Sequence, residues 1–78
     1  MSLSQDLSNI FSEVFNFKGE LTDDLDPSSV PGWDSVAHIA MVEAIESHFN
    51  IRLTTDEMVE ITSVKKIKDV IKQYINED

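Results

Sequence analysis

The sequence predicts an all-α protein: a four-helix bundle with three longer helices and one short helix around a single core. Three observations support this fold class. Apolar residues recur at three- and four-residue steps in three separate segments, which is the period of amphipathic helices. No segment alternates apolar and polar residues as a half-buried strand does. The chain has 78 residues, enough for one small domain, which we place at 1–78.

The first predicted helix ends near Asn16, with Gly19 just beyond it. Its apolar stripe consists of Leu3, Leu7, Ile10, Phe11, Val14 and Phe15. A long irregular segment follows, from about residue 16 to residue 34, and it holds both prolines and both glycines. A loop of this length in a small domain is usually either functional or a sign that an element has been wrongly assigned. We expect three apolar residues to fix it onto the core, namely Leu21, Leu25 and Val30.

The second predicted helix runs from Ser35 to about Phe49, with Asp34 as its N-cap. One face is the expected core stripe, made of His38, Met41, Val42, Ile45 and Phe49. The other side mixes aliphatic and acidic residues: Val36, Ile39, Ala40, Glu43 and Glu46. Exposed aliphatic side chains flanked by charge are typical of a docking surface. The alternative is that the long loop covers Val36 and Ile39.

Two further helices are predicted in the C-terminal third. Thr54 and Glu57 have the spacing of a capping box at the start of a short third helix. Its apolar side is predicted to consist of Met58, Val59 and Ile61. Thr62 or Ser63 caps a fourth helix, whose apolar stripe is Val64, Ile67, Val70, Ile71, Tyr74 and Ile75.

The charge of the chain excludes several classes of function. Fifteen acidic residues against six basic ones give a net charge of −9, which opposes nucleic-acid binding and favours a basic protein partner. The absence of cysteine excludes a disulfide scaffold and a thiol nucleophile of the chain's own. No apolar run approaches the roughly 20 residues of a membrane span. No signal peptide is visible, so we expect a cytoplasmic protein.

Ser35 is the residue with the most chemical interest, because a helix N-terminus accommodates a phosphate well. A serine that another enzyme modifies needs no base of its own, although an ordinary first-turn serine fits the same position. His38 lies three residues on, but no third group orients it, which argues against a Ser35–His38 hydrolase.

The acidic run from Glu20 to Asp26 lacks the glycine of a calcium loop. We therefore predict no catalytic residue and no metal site, and we expect Trp33 to fill the core.

The segment from Asp34-Ser35-Val36 through Glu46 and on to Phe49 resembles the acyl carrier protein family. The signature of that family is Asp-Ser-Leu at the opening of a helix that ends in Glu-x-x-Phe. The resemblance extends over nearly the whole chain, from the first helix to the Thr62-Ser63-Val64 start of the fourth. Val36 stands in place of the usual leucine. Ala40 and Glu43 depart from the pattern of many fatty-acid carriers.

The resemblance implies that Ser35 receives a 4′-phosphopantetheine arm from coenzyme A. A phosphopantetheinyl transferase would attach it, and Asp34 would help that enzyme engage. The arm's thiol would carry an acyl or aminoacyl group as a thioester, which agrees with a chain that lacks cysteine. Docking would use Val36 and Ile39 of the second helix, with Glu43 and Glu46 attracting basic partners.

The chain is thus expected to be a non-catalytic, monomeric carrier. Its partners would be an acyl- or aminoacyl-loading ligase, an acyltransferase or a ketosynthase. The pathway would be that of a fatty acid, a polyketide, a nonribosomal peptide or a surface polysaccharide. A cargo chain could shelter in the core beside Ile45, Met58 and Ile61. The rival hypothesis is a carrier-like interaction module that works without the prosthetic group.

Overall fold

Four α-helices make up the regular structure of the computed structural model, which describes residues 3–75. They are α1 (Leu3–Phe15), α2 (Ser35–Phe49), α3 (Thr55–Glu60) and α4 (Val64–Ile75). Residues 3–75 contain no strand, so the predicted all-α fold with a short third helix is confirmed. The domain predicted at 1–78 extends at both ends into residues that lie outside the described part of the chain. Within residues 3–75, no helix has the length and apolar character needed to cross a membrane.

Helix α1 packs its predicted stripe into the core and then stops sharply. Asn16 takes a left-handed conformation, with φ of 55°, and the Phe17 amide bonds back to the Phe11 carbonyl at 3.3 Å. Asparagine tolerates this conformation better than most side chains, so it is a suitable residue to end a helix. Asp6 is the buried polar residue of α1, and its carboxylate lies 3.3 Å from Nε2 of His48 on α2. This pair joins the two helices beside the core.

The loop between α1 and α2 is fixed at several points, as the sequence predicted. Val30 is buried, and Leu21 and Leu25 pack partly buried against the core. The carbonyls of Asp23 and Leu25 accept hydrogen bonds from the first amides of α4, each at 3.0 Å. Those amides have no partner within their own helix, so the loop satisfies them.

A side-chain contact adds to this attachment of the loop. Nζ of Lys68 on α4 donates to the Asp23 carboxylate at 2.8 Å. The hydrogen bond and the charge of Lys68 lower the pKa of Asp23. The loop is therefore a fixed part of the bundle along this edge.

Trp33 lies at the end of the loop, just before α2, and packs into the core. Its side chain is only 5% exposed, and its ring meets Phe11 edge-on at a centroid distance of 5.4 Å. It also packs against Phe15 at 5.4 Å. The prediction that Trp33 fills the core is confirmed, and its burial fixes the point at which α2 begins.

The capping box of α3 is confirmed, but two apolar assignments in α3 and α4 were wrong. The Thr54 hydroxyl accepts from the Glu57 amide at 3.1 Å, and the Glu57 carboxylate accepts from the Thr54 amide at 2.9 Å. Val59 is 70% exposed, because a helix of only six residues contacts the bundle along a single narrow face. Tyr74 is 40% exposed, because its hydroxyl donates a hydrogen bond to Glu57 at the surface rather than packing into the core.

Candidate functional site

The site is built around the first turn of α2. Asp34 has extended backbone angles, and its side chain accepts a hydrogen bond from the Ala37 amide at 2.8 Å. Its carbonyl accepts from the His38 amide at 2.7 Å. The predicted N-cap is therefore confirmed, and Ser35 is the first residue of the helix, where it is exposed.

An open groove of about 450 Å³ lies beside Ser35. The groove lies between the end of the loop, α2 and α3. Its lining residues are Pro27, Trp33, Asp34, Ser35, His38, Ile39, Val59 and Thr62. Most of these side chains are apolar or aromatic. This largely apolar groove therefore lies directly beside the exposed hydroxyl of Ser35.

The aliphatic side chains of α2 are accessible. Val36 is 81% exposed and Ile39 is 53% exposed, so the loop does not cover them. Val59 of α3 projects beside the same groove as Ile39. Sequence reasoning missed Val59 because it assigned every aliphatic residue of α3 to the interior. The exposure of Val59 could have been predicted from the shortness of α3, because so short a helix has few side chains that face the core.

The two acidic residues predicted to attract partners differ in their surroundings. Glu43 is exposed to solvent. Glu46 is half-buried, and its Oε2 accepts a hydrogen bond from the Leu53 amide at 2.8 Å. This contact ties the segment after α2 to the helix. Glu43 is therefore the freer of the two carboxylates.

His38 is engaged on both ring nitrogens. Nδ1 lies 2.9 Å from the Trp33 indole nitrogen, and Nε2 lies 2.8 Å from the Met58 carbonyl oxygen. Neither nitrogen is therefore directed at Ser35 as a general base would need to be. This arrangement agrees with the sequence argument against a Ser35–His38 hydrolase.

The residues proposed to shelter a cargo chain lie away from the groove. Ile45 and Ile61 are buried in the core at 0% and 1% exposure, and Met58 is half-buried against it. None of the three is among the groove's lining residues. The closest apolar space to Ser35 is thus the surface groove, and an interior shelter would require the core to open.

Comparisons with known proteins agree with these features. The sequence model of a family described as "Phosphopantetheine attachment site" matches residues 5–71. An acyl carrier protein of Buchnera aphidicola subsp. Baizongia pistaciae (strain Bp) is 40% identical over 42 residues. That match covers 54% of this chain and 54% of the relative, so it spans about half the length of each.

The geometry at Ser35 also fits a phosphopantetheine group. An attached phosphodiester would lie at the N-terminus of α2, where the helix dipole favours negative charge. The exposed hydroxyl leaves room for attachment, and the groove offers apolar contact to a flexible arm. The family match over residues 5–71 and the helical fold together show that the chain belongs to the acyl carrier protein family, the carriers whose prosthetic group is 4′-phosphopantetheine.

Proposed function

We propose that the chain is a non-catalytic carrier of acyl or aminoacyl groups and that Ser35 is the residue bearing the prosthetic group. The observation that carries this proposal is the position of Ser35: exposed, first in α2, directly after the Asp34 cap and within the matched residues. The bound arm supplies a thiol that holds the cargo as a thioester.

The residues of the chain have separate tasks in this proposal. Asp34 fixes the start of α2 through its bond to the Ala37 amide and so holds Ser35 in an accessible first turn. Its charge also contributes to engagement by a phosphopantetheinyl transferase. Trp33, packed in the core, anchors the loop side of the same turn.

We define the docking face as Val36, Ile39 and Glu43 of α2 with Val59 of α3. All four are exposed: Ile39 and Val59 line the groove beside Ser35, Val36 follows Ser35 in the chain, and Glu43 lies one turn beyond Ile39 on α2. The aliphatic members supply apolar contact area, and Glu43 attracts basic partners. Glu46 belongs to the same negative helix, but its bond to Leu53 supports a structural role in addition to any part in docking.

The proposed partners are the transferase, a ligase that loads the cargo, and an acyltransferase or ketosynthase that receives it. The pathway is one that builds fatty acids, polyketides, nonribosomal peptides or surface polysaccharides. A net charge of −9 supports partners with basic docking surfaces.

The test is intact-protein mass spectrometry after incubation with coenzyme A, magnesium and a broad-specificity phosphopantetheinyl transferase. The wild type should gain one phosphopantetheine, and Ser35→Ala should gain none. Ser47→Ala is the matched control, because Ser47 is another exposed serine of α2, and it should be modified like the wild type. A wild type left bare by several transferases would contradict the proposal and favour an interaction module without the arm.

A further inference from the structure

A single imidazole joins three elements next to the groove. His38 on α2 accepts the Trp33 indole N–H of the loop at 2.9 Å, and it contacts the Met58 carbonyl of α3 at 2.8 Å. The Trp33 and His38 rings are nearly coplanar, with centroids 6.2 Å apart and planes inclined by 13°. Both residues line the groove beside Ser35.

The hydrogen atoms of this arrangement follow from the chemistry of its partners. An indole nitrogen can only donate, and a carbonyl oxygen can only accept. Nδ1 of His38 must therefore be the bare nitrogen, and Nε2 must carry the hydrogen. An imidazolium carries hydrogen on both nitrogens, so its Nδ1–H would meet the Trp33 N–H head-on. Protonation of His38 and the bond from Trp33 are mutually exclusive.

We propose that His38 is a positioning residue that holds the Trp33 indole against the groove only while its ring is neutral, so that acidification loosens the loop side of the groove wall. Histidine is the side chain that ordinarily gains charge within the physiological range of pH. Because the joined state excludes a proton that the loosened state accepts, the joined population falls as the pH falls. The role of the groove beside a prosthetic group rests on the proposed function, whereas the loosening of the groove wall with pH does not.

Carboxylates lie on each of the elements that pack against the imidazole. Asp34 lines the groove at the start of α2. On α3, Glu57 precedes Met58 and accepts hydrogen bonds from the Thr54 amide and the Tyr74 hydroxyl. On the loop, Asp26 lies next to Pro27 and accepts from Ser28. None of these hydrogen bonds goes to His38.

Loosening would be confined to the loop side of the groove, because the Nε2–H of an imidazolium still donates to the Met58 carbonyl of α3. The hydrogen bond from Tyr74 to Glu57 holds the other side of α3 to α4, and it does not involve His38. Trp33, which lines the groove, would therefore move relative to Ile39 while the contacts of α3 persist. The consequence is a groove whose width depends on pH, next to the proposed attachment residue.

The experiment is NMR spectroscopy of the unmodified full chain, titrated from about pH 8 to about pH 5, the range in which histidine changes charge. At the upper end, the ¹⁵N shifts of His38 should report the neutral Nε2–H tautomer. On acidification the single Trp33 indole N–H resonance should shift with the midpoint of His38. The Trp33 indole N–H should exchange with solvent roughly five- to tenfold faster, as expected for the loss of about one hydrogen bond, whereas exchange of the Met58 and Ile61 amides should not change.

Two matched variants assign the transition. His38→Gln keeps one acceptor and one donor but cannot titrate, so its indole resonance should stay constant. His48→Gln removes the other histidine, which pairs with Asp6, and should keep the transition. Three results would each overturn the proposal. They are an Nδ1–H tautomer of His38 at high pH, an indole resonance that does not change with the pH, and a transition that persists in His38→Gln.

The outcome is independent of whether Ser35 bears the prosthetic group. Ser35→Ala should titrate like the wild type, so a failed modification and a failed titration are separate results. If His38→Gln does not fold, the tautomer and the coincidence of midpoints in the wild type and His48→Gln still decide the matter.

Discussion

Glu43 and Glu46 lie one turn apart on α2, yet only the structure separates their roles. Glu43 is exposed, whereas the carboxylate of Glu46 accepts a hydrogen bond from the buried Leu53 at 2.8 Å. The helical period places both residues on the side away from the core and cannot distinguish them. What distinguishes them is the chain after Asn50, which turns in the left-handed region, with φ of 56°, and returns past Glu46.

This difference predicts unequal losses of stability. Glu46→Ala should lower the free energy of unfolding by about 1 to 2 kcal/mol, because it leaves the Leu53 amide without its acceptor. Glu43→Ala should change it by less than about 0.5 kcal/mol, as an exposed substitution away from special contacts does. Urea unfolding of both variants measures the difference, and Glu46→Gln should retain part of the bond. Equal losses from both alanine variants would contradict the structural role of Glu46.

At the scale of the element, α2 has a buried side that contributes to folding and an accessible side that is available for binding. Ile45 is fully buried, whereas Ile39 is 53% exposed beside the groove. Burying an isoleucine side chain contributes to folding, and an exposed one is available to contribute to binding. The two residues therefore form a matched pair of the same type on one helix.

Ile39→Ala should slow modification by a transferase or loading by a partner while changing the free energy of unfolding only slightly. Ile45→Ala should instead lower that free energy by about 2 to 5 kcal/mol, the usual range for a buried isoleucine. Thermal unfolding and the partner's kcat/KM measure the two effects. If Ile39→Ala lost stability and turnover in parallel, Ile39 would be a packing residue and the docking face would need revision.

The tie between α3 and α4 predicts a pH dependence. The Tyr74 hydroxyl lowers the pKa of Glu57, and the carboxylate of Glu57 raises the pKa of Tyr74. For Glu57 the contribution to stability is present above its unfolded pKa and is lost as the pH falls through its folded pKa. For Tyr74 the contribution is present below its unfolded pKa and is lost as the pH rises through its folded pKa.

Tyr74→Phe should therefore lessen both pH effects and leave the wild type more stable chiefly at intermediate pH. Unfolding of the two proteins by urea across the acid and alkaline limbs measures the difference. Tyr74 is partly exposed, so the phenyl ring should remain compatible with the fold. Parallel stability curves for the two proteins, with a constant offset at every pH, would contradict the tie.

At the scale of the whole molecule, the sequence predicted the parts of the fold that depend on periodicity and caps. The stripes of α1 and α4 are long enough to identify the buried side of each helix, and Asp34 and Thr54 mark the starts of α2 and α3. The sequence did not predict the positions of Val59 and Tyr74. The position of Tyr74 depends on its contact with Glu57 of α3, which no local pattern encodes because the two residues lie far apart in the chain. The exposure of Val59 follows from the shortness of α3.

The excess of acidic residues is also a property of the whole molecule. Like charges repel one another in the folded state, and the same charges attract a basic partner from a distance. Salt weakens both effects, because the screening length falls to about 8 Å at physiological ionic strength. Folding and partner encounter should therefore respond to salt in opposite directions.

Raising the sodium chloride concentration should increase the Tm of the chain while it lowers the kcat/KM of the transferase. Differential scanning calorimetry and a discontinuous modification assay measure the two quantities in the same buffers. Glu43→Gln should reduce the salt dependence of modification. A kcat/KM that did not change with salt would contradict attraction by the negative surface.

The central claim is that Ser35 bears the phosphopantetheine arm. Peptide-mapping mass spectrometry of the protein isolated from its own cells tests it most directly, because fragmentation locates the modified residue. The spectra should show one phosphopantetheine on Ser35, in the first turn of α2. The same mass on another serine, or a Ser35 that is unmodified throughout growth, would contradict it.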